Sequence, residues 1–297
     1  MTEQTAPFRR VHVVINPASG KDQPILNTLN DVFHHHGVEW DVSITHKYGD
    51  ATAQAKAAIA RGVDLVVGYG GDGTQHELAN AVIGTTTPMA VLPGGTGNGF
   101  ARELGIPKEL RPAVELICAG GRVRRIDVAR IGEQYFIQRM YAGVEPEEQT
   151  SREMKDRLGL LAYAIQVPKQ LHKAETSHFR MTIDGQVIEA AGVKLYVVNS
   201  GMMGKGVRIA HEFSVDDGYL DVFVLGRDVL SIMAAETRIL KMRDSPLSRL
   251  KYWRGKSIQI ECEPAKTIWT DGELHGETPV SVAVVPGGLA VLAPAVK

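Results

Sequence analysis

The sequence predicts a two-domain protein, with a parallel α/β sheet in the first part and mostly antiparallel strands in the second. Up to Arg122, apolar runs alternate with segments that have helical spacing. Beyond Arg122, strand-like segments separated by turn residues predominate. Alternating strands and helices form parallel βαβ units, whereas successive short strands form antiparallel sheets. Two glycine-rich loops in the first part each follow an apolar run, as in parallel-sheet proteins that bind ligands at strand ends.

The first part contains four predicted strand–helix pairs. The first helix has apolar residues at Ile25, Leu29, Val32 and Phe33, a helical spacing, and ends at Gly37. In chain order the predicted strands are VHVVIN, EWDVSIT, DLVVGY and MAVLPGG, and the helices are ILNTLNDVFHHHG, DATAQAKAAIARG, TQHELANAVIG and PAVELICAGG.

The second part predicts a β-sandwich with helical insertions. Short strand-like segments such as QYFIQRMYAG and GYLDVFVL recur along it. The helical candidates are residues 151–171 and the segment DVLSIMAAETRIL. We therefore expect one domain over 1–125 and a second over 126–297, with the C-terminal segment a candidate for returning to the first domain.

Composition narrows the class of protein. The chain has 297 residues, 44% of them hydrophobic, which supports a large core. A formal net charge of −1 gives no overall field for nucleic acid, so no nucleic-acid partner is predicted. Two cysteines exclude a disulfide framework and favour a reducing cytoplasm. The longest apolar stretches are short or broken by Pro and Gly, so any membrane contact should be peripheral.

The first glycine loop predicts an anion site at a helix N-terminus. Gly68, Gly70 and Gly73 satisfy G-x-G-x-x-G, the pattern of dinucleotide-binding loops. Thr74 and Glu77 form a capping-box pattern, which predicts that the helix begins there. Asp72 lies inside the loop, where a bare carboxylate would repel phosphate. Mg²⁺ or its water shell between carboxylate and phosphate would resolve this conflict.

The second glycine loop favours a nucleoside triphosphate over a dinucleotide. A dinucleotide site expects an acidic residue about 20 residues after the glycines, but here the next strand leads into Gly94–Asn98. An NAD kinase or NAD(P)-dependent enzyme remains one alternative, and a non-catalytic nucleotide-sensing module is another. A pure binder needs no proton acceptor, so the presence or absence of one separates the sensing module from an enzyme. Either loop alone is also compatible with an ordinary βα turn.

Three segments resemble the diacylglycerol kinase catalytic-domain family, which includes bacterial diacylglycerol kinases, related lipid kinases and sphingosine kinases. They are INPASGK, GGDGTQHELANAVIG and LPGGTGNGFARELGIP. Similarity continues through VVNSGMMGKGVRIAHEFSVDDGYLDV to DGE and covers almost the whole chain. The resemblance implies a nucleotide domain like that of NAD kinases, a C-terminal β-sandwich and a cleft between them. It also implies an ATP-dependent lipid kinase, often dimeric.

The resemblance assigns roles residue by residue. Two positions depart from the family pattern: His76 replaces the usual Asn of GGDGTxNE, and Gly99 lacks the acid of the commoner GTANDFA. The positions that match nucleotide-contacting ones are Asn16, Thr45, Gly70, Gly71, Asp72, Gly73, Thr74, Glu77 and Thr96.

In the second part the resemblance assigns functions to acidic residues in segments whose local sequence alone predicts solvated turns. It implies that Asp217, with the carbonyls of Ser214 and Tyr219, binds a structural Mg²⁺. It implies that Glu273 accepts the proton of a lipid hydroxyl. Asp271 would support Glu273, because residues i and i+2 of an extended chain point to one face, and Asp72 is the rival base. Diacylglycerol, a sphingoid base, phosphatidylglycerol or an isoprenoid alcohol would each fit as the lipid.

Overall fold

A computed structural model describes residues 8–19, 23–143, 175–203, 207–208, 213–226 and 252–295. The two predicted helices of the second part, at 151–171 and 228–240, lie outside these residues. No helix in the described ranges has the length and apolar character needed to cross a membrane.

The first domain has the predicted alternation of strands and helices. Its four strands are parallel, in the order β2-β1-β3-β4. The apolar faces of α1 and α2 bury Leu29, Phe33 and Ala55 against this sheet. The elements are β1 Arg10–Ile15, α1 Ile25–His35, β2 Glu39–Ile44, α2 Asp50–Ala60, β3 Leu65–Gly70, α3 Asp72–Val82, β4 Met89–Pro93, α4 Gly99–Glu103 and α5 Leu110–Glu115, which continues into a π-helical turn at Leu116–Gly120.

The second domain is mostly antiparallel, as predicted. Its strands are β5 Gly121–Ile131, β6 Gln134–Phe136, β7 Arg139–Gly143, β8 Ser177–Ile183, β9 Gln186–Gly192, β10 Lys194–Val198, β11 Met202–Met203, β12 Val207–Arg208, β13 Leu220–Leu225, β14 Tyr252–Gly255, β15 Ser257–Glu263, β16 Thr267–Thr270, β17 Glu273–Glu277 and β18 Val280–Pro294.

Strand β18 joins the two parts into one sheet. Val291 lies opposite Met89 of β4 in parallel pairing, while other residues of β18 pair antiparallel with β5 and β15. The resulting sheet runs β2-β1-β3-β4-β18-β15-β8-β9. The C-terminal strand therefore lies next to the last strand of the first domain.

A second sheet completes a β-sandwich. It has the order β14-β13-β10-β7-β16-β17 and shares an apolar core with β5, β8, β15 and β18. Met140, Phe179, Leu195, Val222 and Ile258 are among the buried side chains of this core. The predicted fold class, a parallel α/β domain followed by a β-sandwich, is confirmed.

Candidate active site

The two glycine loops lie against each other at the carboxyl ends of β3 and β4. The amide of Gly94 donates a hydrogen bond to the Gly70 carbonyl at 3.0 Å. A methyl group added at Gly95 would lie only 2.5 Å from the Cα of Gly71. Only glycine allows so close an approach of two backbones, and the loops form one continuous backbone surface.

Asp72 fastens the two loops together. It is the first residue of α3, and its carboxylate accepts hydrogen bonds from the amides of Gly99 at 3.0 Å and Phe100 at 2.9 Å. Those amides begin α4, so the carboxylate satisfies donors that a helix start leaves free. The carboxylate in the glycine loop therefore has a structural partner in the second loop.

The predicted capping box at Thr74 and Glu77 is wrong. Helix α3 has Gly71 as its N-cap, so Thr74 is already inside the first turn. The Thr74 hydroxyl accepts a hydrogen bond from the Asn16 side chain at 3.1 Å. Glu77 accepts one from the amide of Gly49 at 2.8 Å, at the start of α2. Burial raises the pKa of Glu77, and backbone amides of the α2 start oppose that rise.

The remaining predicted nucleotide contacts border the same edge of the sheet. Asn16 follows β1, and its side-chain oxygen accepts the amide of Ala18 at 3.0 Å. Thr45 follows β2 and is buried, with its hydroxyl 3.5 Å from the Ile15 carbonyl. Thr96 is exposed on the second loop. The first three strand ends thus converge with the second loop, as parallel strands require.

Glu273 reaches the first loop from the second domain. It is the first residue of β17, and a methyl group added at Gly73 would lie 3.9 Å from its Oε1. Within the described ranges no hydrogen-bond donor engages the Glu273 carboxylate, whereas Asp72 accepts two amides. Glu273 is therefore the freer proton acceptor of the two candidates.

Four hydrogen-bond donors surround the Asp271 carboxylate. Its side chain has no exposed surface and accepts hydrogen bonds from Nδ1 of His76 and from the amides of Ile137, Gln138 and Arg139, at 2.7 to 2.9 Å. Asp271 and Gly272 have φ angles of +49° and +101° and form the turn between β16 and β17. The prediction that residues 271–273 form an extended chain is therefore wrong. Asp271 points into the contact between the domains.

His76 and Asp271 form a hydrogen-bonded pair in which the fold favours the charged form of each partner. Burial lowers the pKa of His76, but the hydrogen bond and charge of Asp271, with smaller contributions from Glu273 and Glu77, outweigh it and raise that pKa overall. Burial raises the pKa of Asp271, but His76 and the amides of residues 137 and 139 outweigh it and lower that pKa overall. Both shifts favour imidazolium and carboxylate. Sequence reasoning identified His76 as a departure but not its partner.

In the turn expected to bind Mg²⁺, one carboxylate oxygen of Asp217 accepts no hydrogen bond but already faces a guanidinium. Asp217 Oδ1 accepts the amide of Tyr219 at 3.0 Å, while the buried Oδ2 accepts no hydrogen bond. Nη2 of Arg254 lies 3.3 Å from Oδ2, an ion-pair distance without hydrogen-bond geometry. Burial raises the pKa of Asp217, and the nearby charges of Asp127 and Asp216 add to that rise. The hydrogen bond from the Tyr219 amide and the charge of Arg254 lower the pKa but do not outweigh burial.

A metal here would need carbonyl ligands in addition to the carboxylate. The described part of the chain contains no cluster of three His, Cys, Asp or Glu side chains able to hold a metal. The carbonyls of Ser214 and Tyr219 belong to the same turn as Asp217, and oxygen ligands of this kind suit Mg²⁺. The ligand types present suit Mg²⁺, which would share the Asp217 carboxylate with Arg254.

Paired glycine loops at the strand ends of one domain, faced by the Glu273 carboxylate from the other, suit the class of two-domain phosphotransferases. Comparison with known families assigns the chain within that class. Residues 10–131 match the model of the diacylglycerol kinase catalytic domain. Residues 138–293 match the YegS C-terminal NAD kinase beta sandwich-like domain. The chain belongs to the diacylglycerol kinase family.

Individual relatives agree along nearly the full length. The diacylglycerol kinase of Bacillus subtilis is 28% identical over 281 residues, which cover 92% of each chain. That of Staphylococcus aureus strain MRSA252 is 26% identical over 294 residues, covering 96% of this chain and 93% of the relative. A crystal structure of a diacylglycerol kinase from Bacillus anthracis has a TM-score of 0.78 at 28% identity, covering 97% and 98%. The predicted family and the prediction of a kinase are confirmed.

Proposed function

We propose that this kinase transfers the γ-phosphate of ATP to the hydroxyl group of a lipid. The observation that carries the proposal is the place of Glu273, whose Oε1 would lie 3.9 Å from a methyl group at Gly73. A proton acceptor from one domain thus faces the glycine loop of the other. Phosphoryl transfer to an alcohol needs this juxtaposition, because the acceptor hydroxyl must lose its proton beside the phosphates.

The first domain would hold the nucleotide. Backbone amides of the two loops and the N-terminus of α3, which spans 11 residues, favour an anion. Asp72 keeps the loops together through Gly99 and Phe100. The residues proposed to contact the nucleotide are Asn16, Thr45, Gly70, Gly71, Asp72, Gly73, Thr74, Glu77 and Thr96.

The second domain would supply the acceptor chemistry. Glu273 takes the hydroxyl proton while the lipid oxygen forms a bond to the γ-phosphorus and the bond from that phosphorus to ADP breaks. Asp271 supports the turn from within and does not itself meet the hydroxyl, since four donors already engage its carboxylate.

Magnesium forms part of the proposal in two places. Bound with the nucleotide, Mg²⁺ would neutralise phosphate charge. A second, structural Mg²⁺ would be held by Asp217 with the carbonyls of Ser214 and Tyr219. The buried Oδ2 of Asp217 accepts no hydrogen bond, which supports this assignment, and the ion would share that oxygen with the nearby Arg254 guanidinium.

The proposal extends to the lipid that accepts the phosphate, the cellular location of the protein and its oligomeric state. Relatives are named diacylglycerol kinases, which makes diacylglycerol the first acceptor to test. A lipid acceptor implies peripheral contact with a membrane, and the two free cysteines suit a cytoplasmic location. Formation of a homodimer belongs to the same proposal.

The direct test is incubation with labelled ATP, Mg²⁺ and a panel of dispersed lipids. The panel contains diacylglycerol, a sphingoid base, phosphatidylglycerol and an isoprenoid alcohol. Transfer of label to one lipid, identified by mass, is the expected result. ATP binding without transfer to any lipid would contradict the proposal.

The role of Glu273 has a matched control on the same strand. Glu273→Gln removes the proton acceptor while keeping the shape of the side chain, so kcat should fall by about 100-fold or more. ATP affinity should change less than about twofold, because a general base contributes to the transition state rather than to ground-state binding. Glu277→Gln alters an exposed residue of β17 and should retain kcat. Equal kcat in the two variants would remove the assignment of Glu273.

A further inference from the structure

His76 connects the signature helix to the catalytic turn across the domain contact. It belongs to α3, and its Nδ1 lies 2.9 Å from Oδ2 of Asp271, which is 195 positions away in the chain. The side chain of His76 is 8% exposed and that of Asp271 is not exposed at all. The contact is therefore shielded from water, and both partners depend on it for a neutralising charge.

Three structural elements meet at the Asp271 carboxylate. His76 approaches from α3, the amides of residues 137–139 approach from the link between β6 and β7, and Asp271 itself begins the turn before β17. Glu273 follows two residues later, at the start of β17. A shift of this carboxylate would move the turn and Glu273 with it.

The electrostatic surroundings of His76 favour its protonated form. The charged groups that act on it are Asp271 and Glu273 from the second domain and Glu77 from its own helix, and all three are carboxylates. The amide nitrogen of Asn80, one helical turn further along, lies 3.5 Å from the imidazole Nε2 and donates a hydrogen bond to the His76 carbonyl at 3.0 Å, so it is not an acceptor for a proton on Nε2. Asn80 also donates to the Tyr135 carbonyl at 3.0 Å, which fixes the same helix face to β6.

We propose that His76 is a positioning residue for phosphoryl transfer, because its imidazolium holds Asp271 and thereby keeps Glu273 against the Gly73 loop. The inference rests on the proposed function and extends it to a residue that does not touch either substrate. It also gives the reaction a dependence on the charge of His76.

The pH dependence has a definite sign. The pKa of His76 is raised in the folded protein, so the ion pair is complete below the ordinary histidine value and its positive charge is lost as pH rises through the raised one. A neutral imidazole can still donate the Nδ1–H hydrogen bond to Asp271, so the charge of the pair titrates while the contact remains. That ordinary value is about 6.5, so kcat should fall on the alkaline side of it. Asp271 has a lowered pKa and stays ionised throughout this range.

The test replaces the histidine in two ways. His76→Asn keeps a side-chain N–H donor but cannot carry charge, and His76→Leu removes both donor and charge. At pH 6.5, kcat should fall about 10-fold in the first variant and about 100-fold in the second, since small misplacements of a catalytic group have costs of this size. The KM for ATP should stay within about twofold, because the hydrogen bonds of the His76 side chain go to Asp271 and Asn80 and not to the glycine loops.

The pH profile separates positioning from general loss of structure. The kcat of the wild type should decline at alkaline pH toward that of His76→Asn, and the variant should lack this decline. His12→Asn is the control: His12 is also buried, at 3% exposure, and pairs with Asp41, but it lies on β1 away from the turn. It should keep the wild-type profile. An unchanged alkaline decline in His76→Asn, or full kcat at pH 6.5, would overturn the inference.

A readout independent of catalysis covers the case in which no lipid is phosphorylated. Histidine NMR titration of the full chain should give His76 a pKa above the ordinary value, and Asp271→Asn should return it toward that value or lower it further. Amide exchange at residues 137–139 should become faster in His76→Leu. A His76 pKa that Asp271→Asn leaves unchanged would refute the pairing, whereas absent lipid phosphorylation with the expected titration would count against the proposed function alone.

Discussion

At the scale of the residue, two aspartates with the same local structure have different consequences. Asp184 and Asp271 each begin an Asp-Gly hairpin turn with φ of +49°, and each carboxylate accepts backbone amides from a neighbouring segment. Asp184 binds the amides of Lys256 and Ser257 within the sandwich and remains exposed. Asp271 is buried between the domains and also pairs with His76. The difference lies in their tertiary surroundings.

These two positions make a matched pair for a stability measurement. Asp271→Asn leaves His76 beside a neutral amide and replaces one acceptor oxygen by a donor that faces backbone N–H groups. The free energy of unfolding should fall by about 3 kcal/mol, the usual loss when one member of a buried ion pair is removed. Asp184→Asn should give a smaller loss because water can reach its site. Urea unfolding of both variants measures the two losses in the free energy of unfolding. Equal losses would show that the buried pair contributes no more to stability than the exposed Asp184 turn.

An Asp-Gly pair favours a tight turn at both positions, but the local sequence does not rank the two. Nothing local distinguishes Asp184 from Asp271, because the amides and the imidazole that engage Asp271 are more than 130 positions away. Glu273 entered the prediction through family resemblance. The partner of His76 became visible only when the domains were placed together.

At the scale of the element, the two helix starts after β3 and β4 act as one unit. Gly71 and Gly95 bring the loops into contact, and the Asp72 carboxylate joins α3 to α4. Helix-start amides that bind no anion need another acceptor. Asp72 provides one for α4, while the start of α3 remains directed at the proposed phosphate position.

This contact predicts a sharp difference between two glycines. Gly95→Ala places a methyl group 2.5 Å from the Cα of Gly71, so the loops must separate. The reverse change, Gly71→Ala, meets the Cα of Gly95 at an ordinary 3.6 Å. Without nucleotide, Gly95→Ala should lower the free energy of unfolding by about 2 kcal/mol, a typical cost of overpacking, and Gly71→Ala by much less. Thermal unfolding of both proteins provides the comparison; similar losses would mean that the loops are not in close contact.

Element order in the first domain follows from apolar periodicity, and all four strand–helix pairs appear where predicted. The start of α3 was misplaced for a specific reason. The capping-box rule takes account only of donors within one helix. Here the start of α2 lies close enough for the Gly49 amide to donate to the Glu77 carboxylate instead. Competition between neighbouring helix starts is a tertiary effect that a local pattern omits.

At the scale of the whole molecule, β18 holds the two domains in one structure. Its last residues, including Leu289, Val291 and Leu292, belong to the core of the first domain, while Val282 belongs to the core of the sandwich. Where the strand changes partners, the pairing with β5 shifts register between Val285 and Leu289, and the Gly287 amide donates to the buried Asp127 at 2.8 Å. In the sequence, Pro286 interrupts an apolar stretch. The assembled sheet gives the reason, because β18 changes partners and shifts register at this point.

The first domain should therefore depend on the far end of the chain. A fragment of residues 8–131 retains the nucleotide loops but lacks the strand that lies between β4 and β5, so β4 becomes an open edge beside uncovered apolar surface. Such edges promote aggregation. We expect this fragment to aggregate or to unfold without a cooperative transition, and addition of a peptide covering residues 280–295 to restore cooperativity. Circular dichroism melts and size-exclusion chromatography report both effects, with a peptide in which Leu289, Val291 and Leu292 are changed to Ser as the control. A fragment that melts cooperatively alone, or responds equally to both peptides, would show that the first domain folds independently of β18.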